Sequence, residues 1–211
     1  MKTIQVNLYS FSELSDSAKE KARDKYREWS DDFEADFVMD DAKNIADILG
    51  IEFDTRSVPL MNGKTRSEPE IYYSGFYQQG SGASFAGCYS YKKGSKKAIR
   101  EYAPKDAELH RIADELQAIQ KRNFYSLRAA ISQSGIYCHE YTMSVSCSNW
   151  IDDYRDISDS DCEDILELMR DFARWIYSQL EKEYEYRMSD EHIDDMLEAN
   201  EYEFLEDGSM A

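Results

Sequence analysis

Carboxylates crowd the last third of this chain. Asp152, Asp153, Asp156, Asp159, Asp161, Glu163 and Asp164 fall within residues 152–164, and Glu167, Asp171, Glu181, Glu185, Asp194, Asp195, Glu198 and Glu201 follow. Three kinds of chemistry use such side chains. A calcium loop of the EF-hand type needs a glycine at its sixth place and a glutamate at its twelfth. Counted from Asp152 these places hold Ile157 and Glu163, and from Asp159 they hold Asp164 and Arg170, so neither frame supplies the glycine. General acid–base catalysis needs two carboxyl groups in a shielded cleft with separated pKa values. Acids along the polar side of an amphipathic helix are solvated and all ionised. The remaining chemistry is recognition of a cationic partner.

Charge distribution points the same way. Residues 151–211 hold 21 Asp or Glu against five Lys or Arg, within a chain whose net charge is −18. Residues 60–150 carry 12 basic and eight acidic residues instead. Self-repulsion of this kind adds nothing to fold stability, so it speaks to partners and solubility. Duplex DNA carries one charge per about 1.7 Å, which makes 16 net charges equivalent to roughly 27 Å of duplex. Helix neighbours three and four apart lie about 5–6 Å from one another, comparable with successive phosphates. Two acidic C-terminal helices therefore offer a track resembling a phosphate backbone. A plain solubilising face is the competing reading. The basic residues Lys92, Lys93, Lys96, Lys97 and Arg100 would undo the mimicry if they folded over the acids and neutralised them.

Other constellations give less. Gly80-Ser81-Gly82 lacks the GK[ST] ending of a phosphate-binding loop, and a strand follows it where that motif needs a helix N-terminus. Tyr73, Phe76, Tyr77 and Phe85 surround this connection and could form an aromatic binding face. His110, His139 and His192 lie on separate elements with no metal-ligand spacing. Cys88, Cys138, Cys147 and Cys162 include no CxxC pair and read as buried thiols of a reducing compartment. We therefore expect no catalytic residue, no metal, no cofactor and no enzymatic activity.

The elements that must position these groups follow from periodicity. Lys2–Tyr9 alternates as a half-buried strand, and Ser15 caps a helix through Trp29 with Ala18, Ala22, Tyr26 and Trp29 inward. A helix from about Asp32 to Leu49 carries Phe33, Phe37, Val38, Ala42, Ile45, Ala46 and Leu49, and Gly50 stops it. Ile51–Val58 reads as a strand and Pro59–Pro69 as a loop. Ile71–Tyr77 and Phe85–Tyr91 make an aromatic hairpin. A helix behind Pro104 precedes a strand pair, Phe124–Ile131 and Ile136–Cys147, although the first of these could instead extend the helix. Ser160 with Glu163 forms a capping box for a long helix, and Ser189 opens a last short one, with Met188 and Ile193 placed as a staple. This order predicts a single α+β domain over residues 1–211, an antiparallel sheet with helices on one side and an acidic helical segment over about 151–211. No run of 18 apolar residues exists, so no membrane helix is expected.

Tyr9-Ser10-Phe11-Ser12-Glu13-Leu14-Ser15 with Ala18-Lys19-Glu20-Lys21-Ala22, then Ile71–Phe76 with Gln79–Phe85, and Gly135–Glu140 form three distinctive stretches. Together they resemble a family of small, mostly uncharacterised phage and prophage proteins. Some members carry the label of antitoxin of a toxin–antitoxin stability system. The resemblance covers about residues 1–150 and implies expression in the cytoplasm of an infected bacterium. With the charge, it suggests an inhibitor of a host defence complex that has a basic nucleic-acid-binding groove, of the anti-CRISPR or anti-restriction type. Such an inhibitor would act by stoichiometric binding as a DNA mimic and would bind no nucleic acid or membrane itself. The alternative is an antitoxin-like or structural interaction module using the aromatic hairpin. A hydrolase of a signalling nucleotide ranks below both.

Overall fold

The computed structural model describes residues 6–29, 33, 35–61, 63–151 and 156–211. In chain order the elements are β1 (Tyr9–Ser10), α1 (Asp16–Trp29), α2 (Asp36–Leu49), β2 (Ile51–Phe53), β3 (Thr55–Pro59), β4 (Thr65–Pro69), β5 (Ile71–Ser74), β6 (Gly82–Phe85) and β7 (Gly87–Ser90). Then come α3 (Ser95–Tyr102), α4 (Ala107–Arg122), β8 (Leu127–Gln133), β9 (Met143–Asn149), α5 (Asp159–Arg187), α6 (Asp190–Ala199) and β10 (Glu203–Phe204). All strand pairs among the described residues are antiparallel, and the class is α+β. No helix among the described residues is long and apolar enough to cross a membrane. The chain forms two compact units, Asp36–Gln179 and Met1–Ala35 with Leu180–Ala211.

The larger unit is built on a four-stranded sheet in the order β2-β7-β8-β9. Strand β8 shows why helices cover one face only. Leu127, Ala129 and Ile131 are buried, while Arg128, Ala130 and Ser132 between them are exposed. On the buried side Phe172 of α5 stacks on Phe53 at 6.4 Å and meets Phe85 edge-on at 5.8 Å. Ile165, Met169 and Ile176 of α5, with Ile112 and Leu116 of α4, complete a core from which water is excluded.

Three long strands change partners midway. β2 pairs with β7, β3 with β4, and β5 with β6. The switch occurs at Asp54, Glu70 and Ala86, whose backbones close a ring. Asp54 N–H donates to Ala86 O at 2.9 Å, Ala86 N–H to Glu70 O at 3.0 Å, and Glu70 N–H to Asp54 O at 2.7 Å. Every strand leaves its first neighbour there without stranding a buried amide. Ile51–Val58 is consequently two strands, and the stretch expected as a loop, Pro59–Pro69, holds β4 and the tip of a hairpin.

In the smaller unit Phe11, Leu14, Ala18, Ala22, Ile193, Leu197 and Phe204 form a core of their own. Ser15 accepts from Ala18 N–H at 3.4 Å at the start of α1, as its position predicts. Two residues expected to face inward do not. Trp29 and Phe37 are 64% and 82% exposed, because the buried stripes are carried by Ala18 and Ala22 in α1 and by Ala42, Ile45, Ala46 and Leu49 in α2. Of the expected N-terminal strand, residues 1–5 lie outside the described residues; among those described only Tyr9–Ser10 is strand, and Val6 and Leu8 are exposed.

Candidate functional site

The acidic helices are α5 and α6. Ser158 caps α5, accepting from Asp161 N–H at 3.1 Å, two residues ahead of the expected Ser160. Ser189 caps α6, accepting from His192 N–H at 3.3 Å.

Along α5 the carboxylates do not form an open track. Arg122 at the end of α4 bonds both Asp161 and Asp164, and Asn123 bonds Asp161 at 2.8 Å. Arg111 of α4 bonds Asp171, which Arg174 also holds at 2.5 Å. Glu167 pairs with Arg170 and Arg174 of its own helix, and Arg174 reaches Glu140 at 3.3 Å. Burial pushes the Asp161 carboxyl up, yet the hydrogen bonds from Asn123 and Arg122 outweigh it and hold the group below the usual carboxylate range. Asp171 behaves alike under Arg111 and Arg174. These acids are structural clasps between α4 and α5, and a partner would have to break them to use them.

The other carboxylates differ in their surroundings. Asp156, Asp159 and Glu163 at the start of α5 are exposed and make no ion pair among the described residues. Glu181 is half-buried and Glu185 exposed. In α6, Asp194 binds Arg23 through both oxygens at 2.6 Å, whereas Asp195 is exposed and makes no such pair among the described residues. Asp152 and Asp153 lie outside the described residues.

The basic segment spends its charge elsewhere. Lys92 pairs with Asp47 at 2.7 Å, Lys96 and Arg100 with Asp114 at 2.9 Å, and Lys97 with Glu101 at 3.5 Å. Residues 95–102 of this segment are the helix α3, where the sequence shows only a cluster of basic residues.

The aromatic hairpin divides. Phe85 has no exposed surface and belongs to the core against Phe53 and Phe172, so it is unavailable to a partner. Phe76 stacks on Tyr177 of α5 at 5.9 Å, and Tyr177 Oη donates to Gly75 O at 2.9 Å, which anchors the turn. Tyr73 is half-buried, and burial raises its phenol pKa. Tyr77, in a left-handed conformation at φ 63°, is 68% exposed. The connection between β8 and β9 lies alongside: Gly82 backs onto His139, and Tyr137 and Tyr141 flank that ring. Ile136, Tyr137 and Tyr141 are exposed there, where a strand from Ile136 was expected; the strand starts at Met143. No group of three or more potential metal ligands occurs among the described residues.

The fold and this site define an α+β protein with a divided acidic surface and an aromatic patch. Residues 35–190 match the family described as Domain of unknown function (DUF8835), and the chain belongs to that family. No curated protein and no solved structure matches it.

Proposed function

We propose that the protein is a stoichiometric binder of a cationic partner, and that this partner is a host nucleic-acid-binding defence complex of the CRISPR or restriction type, inhibited by a phage product in the infected cytoplasm. The observation that carries the reading is the destination of the basic segment. Lys92, Lys96, Lys97 and Arg100 pair with Asp47, Glu101 and Asp114, leaving Asp156, Asp159, Glu163 and Asp195 exposed. The mimicry is narrower than an unbroken phosphate track, because Arg111, Arg122, Arg170 and Arg174 neutralise the middle of α5. Docking then draws on the exposed carboxylates that those pairs leave over, and its affinity falls steeply as salt rises.

The exposure of Tyr77, Ile136, Tyr137 and Tyr141 favours a second reading, an interaction module that engages one protein through an aromatic face. One experiment separates the two: capture from bacterial lysate at low and high salt, with wild type, Asp156→Asn/Asp159→Asn/Glu163→Gln and Tyr77→Ala/Tyr137→Ala. The charge reading expects capture that salt and the first variant abolish. Capture that survives high salt and fails only with the second variant overturns it.

A further inference from the structure

Resting on the cationic-partner reading, we propose that a groove in the smaller unit seats an arginine side chain that the partner presents on a short exposed segment. The groove has a volume of about 460 Å³ and runs between residues 8–13 and the C-terminal end of α6. Its apolar part comes from Leu8, Tyr9, Phe11, Leu197 and Tyr202. Four glutamates also line it, Glu13, Glu198, Glu201 and Glu203, and no lysine or arginine among the described residues does.

Charge complementarity selects the occupant. Glu198, Glu201 and Glu203 are exposed and unpaired among the described residues. Nearby acids of the same unit are answered: Asp194 by Arg23, Asp190 by Arg23 and Arg27, Asp207 by Lys21. Glu198 and Glu201 stand at the end of a helix, where the backbone dipole already places partial negative charge and where cations are favoured, and Glu203 follows in β10. α6 has no basic residue in its last turn. The groove thus concentrates negative potential at a helix C-terminus; Lys19 and Arg23 stand over the Phe11 ring at 5.5 and 5.8 Å, yet among the described residues neither pairs with the groove's glutamates.

The apolar walls decide between cations. A hydrated metal ion has no flat face or apolar stem to lay against tyrosine rings, whereas a guanidinium stacks on them and its aliphatic stem covers apolar surface. Tyr9 and Tyr202 are both half-buried beside the glutamates, which leaves ring surface for that contact. Glu13 is held in place by Ser10, whose N–H and hydroxyl donate to it at 2.8 and 2.9 Å. Those bonds fix one wall and keep that carboxyl below the usual range.

The test uses the full chain, labelled with nitrogen-15, titrated with an N-acetylated, C-amidated Gly-Gly-Arg-Gly-Gly peptide and with its citrulline counterpart. The expected result is saturable shifts confined to residues 8–13 and 197–203, absent with citrulline. Glu198→Gln/Glu203→Gln should weaken binding at least tenfold while leaving the rest of the spectrum in place. Glu52→Gln, on an exposed position of β2, should leave it unchanged. Shifts that centre on residues 156–163, or that calcium chloride reproduces, overturn the groove and leave the wider acidic reading standing. Saturable binding of the arginine peptide in the groove, combined with lysate capture that ignores salt, supports the groove and removes the wider acidic reading.

Discussion

Arg111 of α4 and Asp171 of α5 are hydrogen-bonded partners, separated by 60 positions in the chain. Asp171 is also held by Arg174, and its side chain is only 17% exposed. This clasp converts part of an apparent binding surface into structure. Its contribution depends on ionisation. A carboxyl whose folded pKa is depressed stabilises the fold above its unfolded pKa of about 3.9, and that contribution is lost as pH falls through the folded value.

Asp171→Asn is therefore expected to lower stability by about 2 kcal/mol at pH 7, the range for a hydrogen bond to a charged group. The gap between wild type and variant should narrow as pH falls below about 4. Urea titrations at pH 7, 5, 4 and 3 measure it. A gap of constant size down to pH 3 would remove Asp171 from the acid-sensitive groups.

Glu201 follows the C-cap of α6 with φ at 53°, a conformation that glycine adopts freely. Tyr202 N–H donates to Leu197 O at 3.2 Å and Glu201 N–H to Glu198 O at 3.0 Å, the paired bonds of a Schellman turn. A side chain there costs about 1–2 kcal/mol. Glycine adds about 0.4–1 kcal/mol of unfolded-chain entropy. Glu201→Gly should raise stability by about 0.5–1 kcal/mol by that difference, while weakening the arginine-peptide interaction. Thermal melts with parallel titrations read both; a stability loss would contradict the turn's geometry.

Phe85 and Tyr77 bracket the aromatic hairpin and should respond oppositely. Phe85→Ala removes a ring packed against Phe53 and Phe172, with an expected cost of about 3–5 kcal/mol. Tyr77→Ala should stay within about 0.5 kcal/mol. Equal losses in chemical denaturation would mean that the exposed ring carries structure.

Gly208 lies against α1, and a Cβ there would meet the Ala18 carbonyl oxygen at 2.1 Å. Its φ of 84° adds the left-handed penalty. Gly208→Ala should cost at least about 2 kcal/mol. Fluorescence of Trp29, which meets Tyr202 edge-on at 6.4 Å, reports on the same unit during denaturation. A variant as stable as wild type would show that the C-terminal segment shifts away from α1 at little cost.

Periodicity and capping make the helices legible. α1, α4, α5 and α6 fall close to their expected places because each buries one stripe and starts near a polar cap. Strand β4 is not legible, because the β3–β4 arm is mostly exposed and so carries no apolar alternation. The eight residues of α3 bury only Ile99, too little for a pattern. Residue types at the acidic site are plain in the sequence, but their partners are not. Arg122 reaches Asp161 across 39 positions, a pairing that local spacing does not encode. Phe85 illustrates the same limit: an aromatic residue beside a glycine-rich turn reads alike whether it points to solvent or to Phe172.

The hydrogen-bonded ring at Asp54, Glu70 and Ala86 bears on how this family varies. Its bonds run between main-chain atoms alone, so the crossing of three strands places little demand on which side chains occupy those positions. Proline is the exception, since it would delete a donor and open the circle. Relatives are expected to drift freely at Asp54 and Glu70, to keep a small residue at the buried Ala86, and to avoid proline at all three, and a proline scan by refolding yield would expose the prohibition directly.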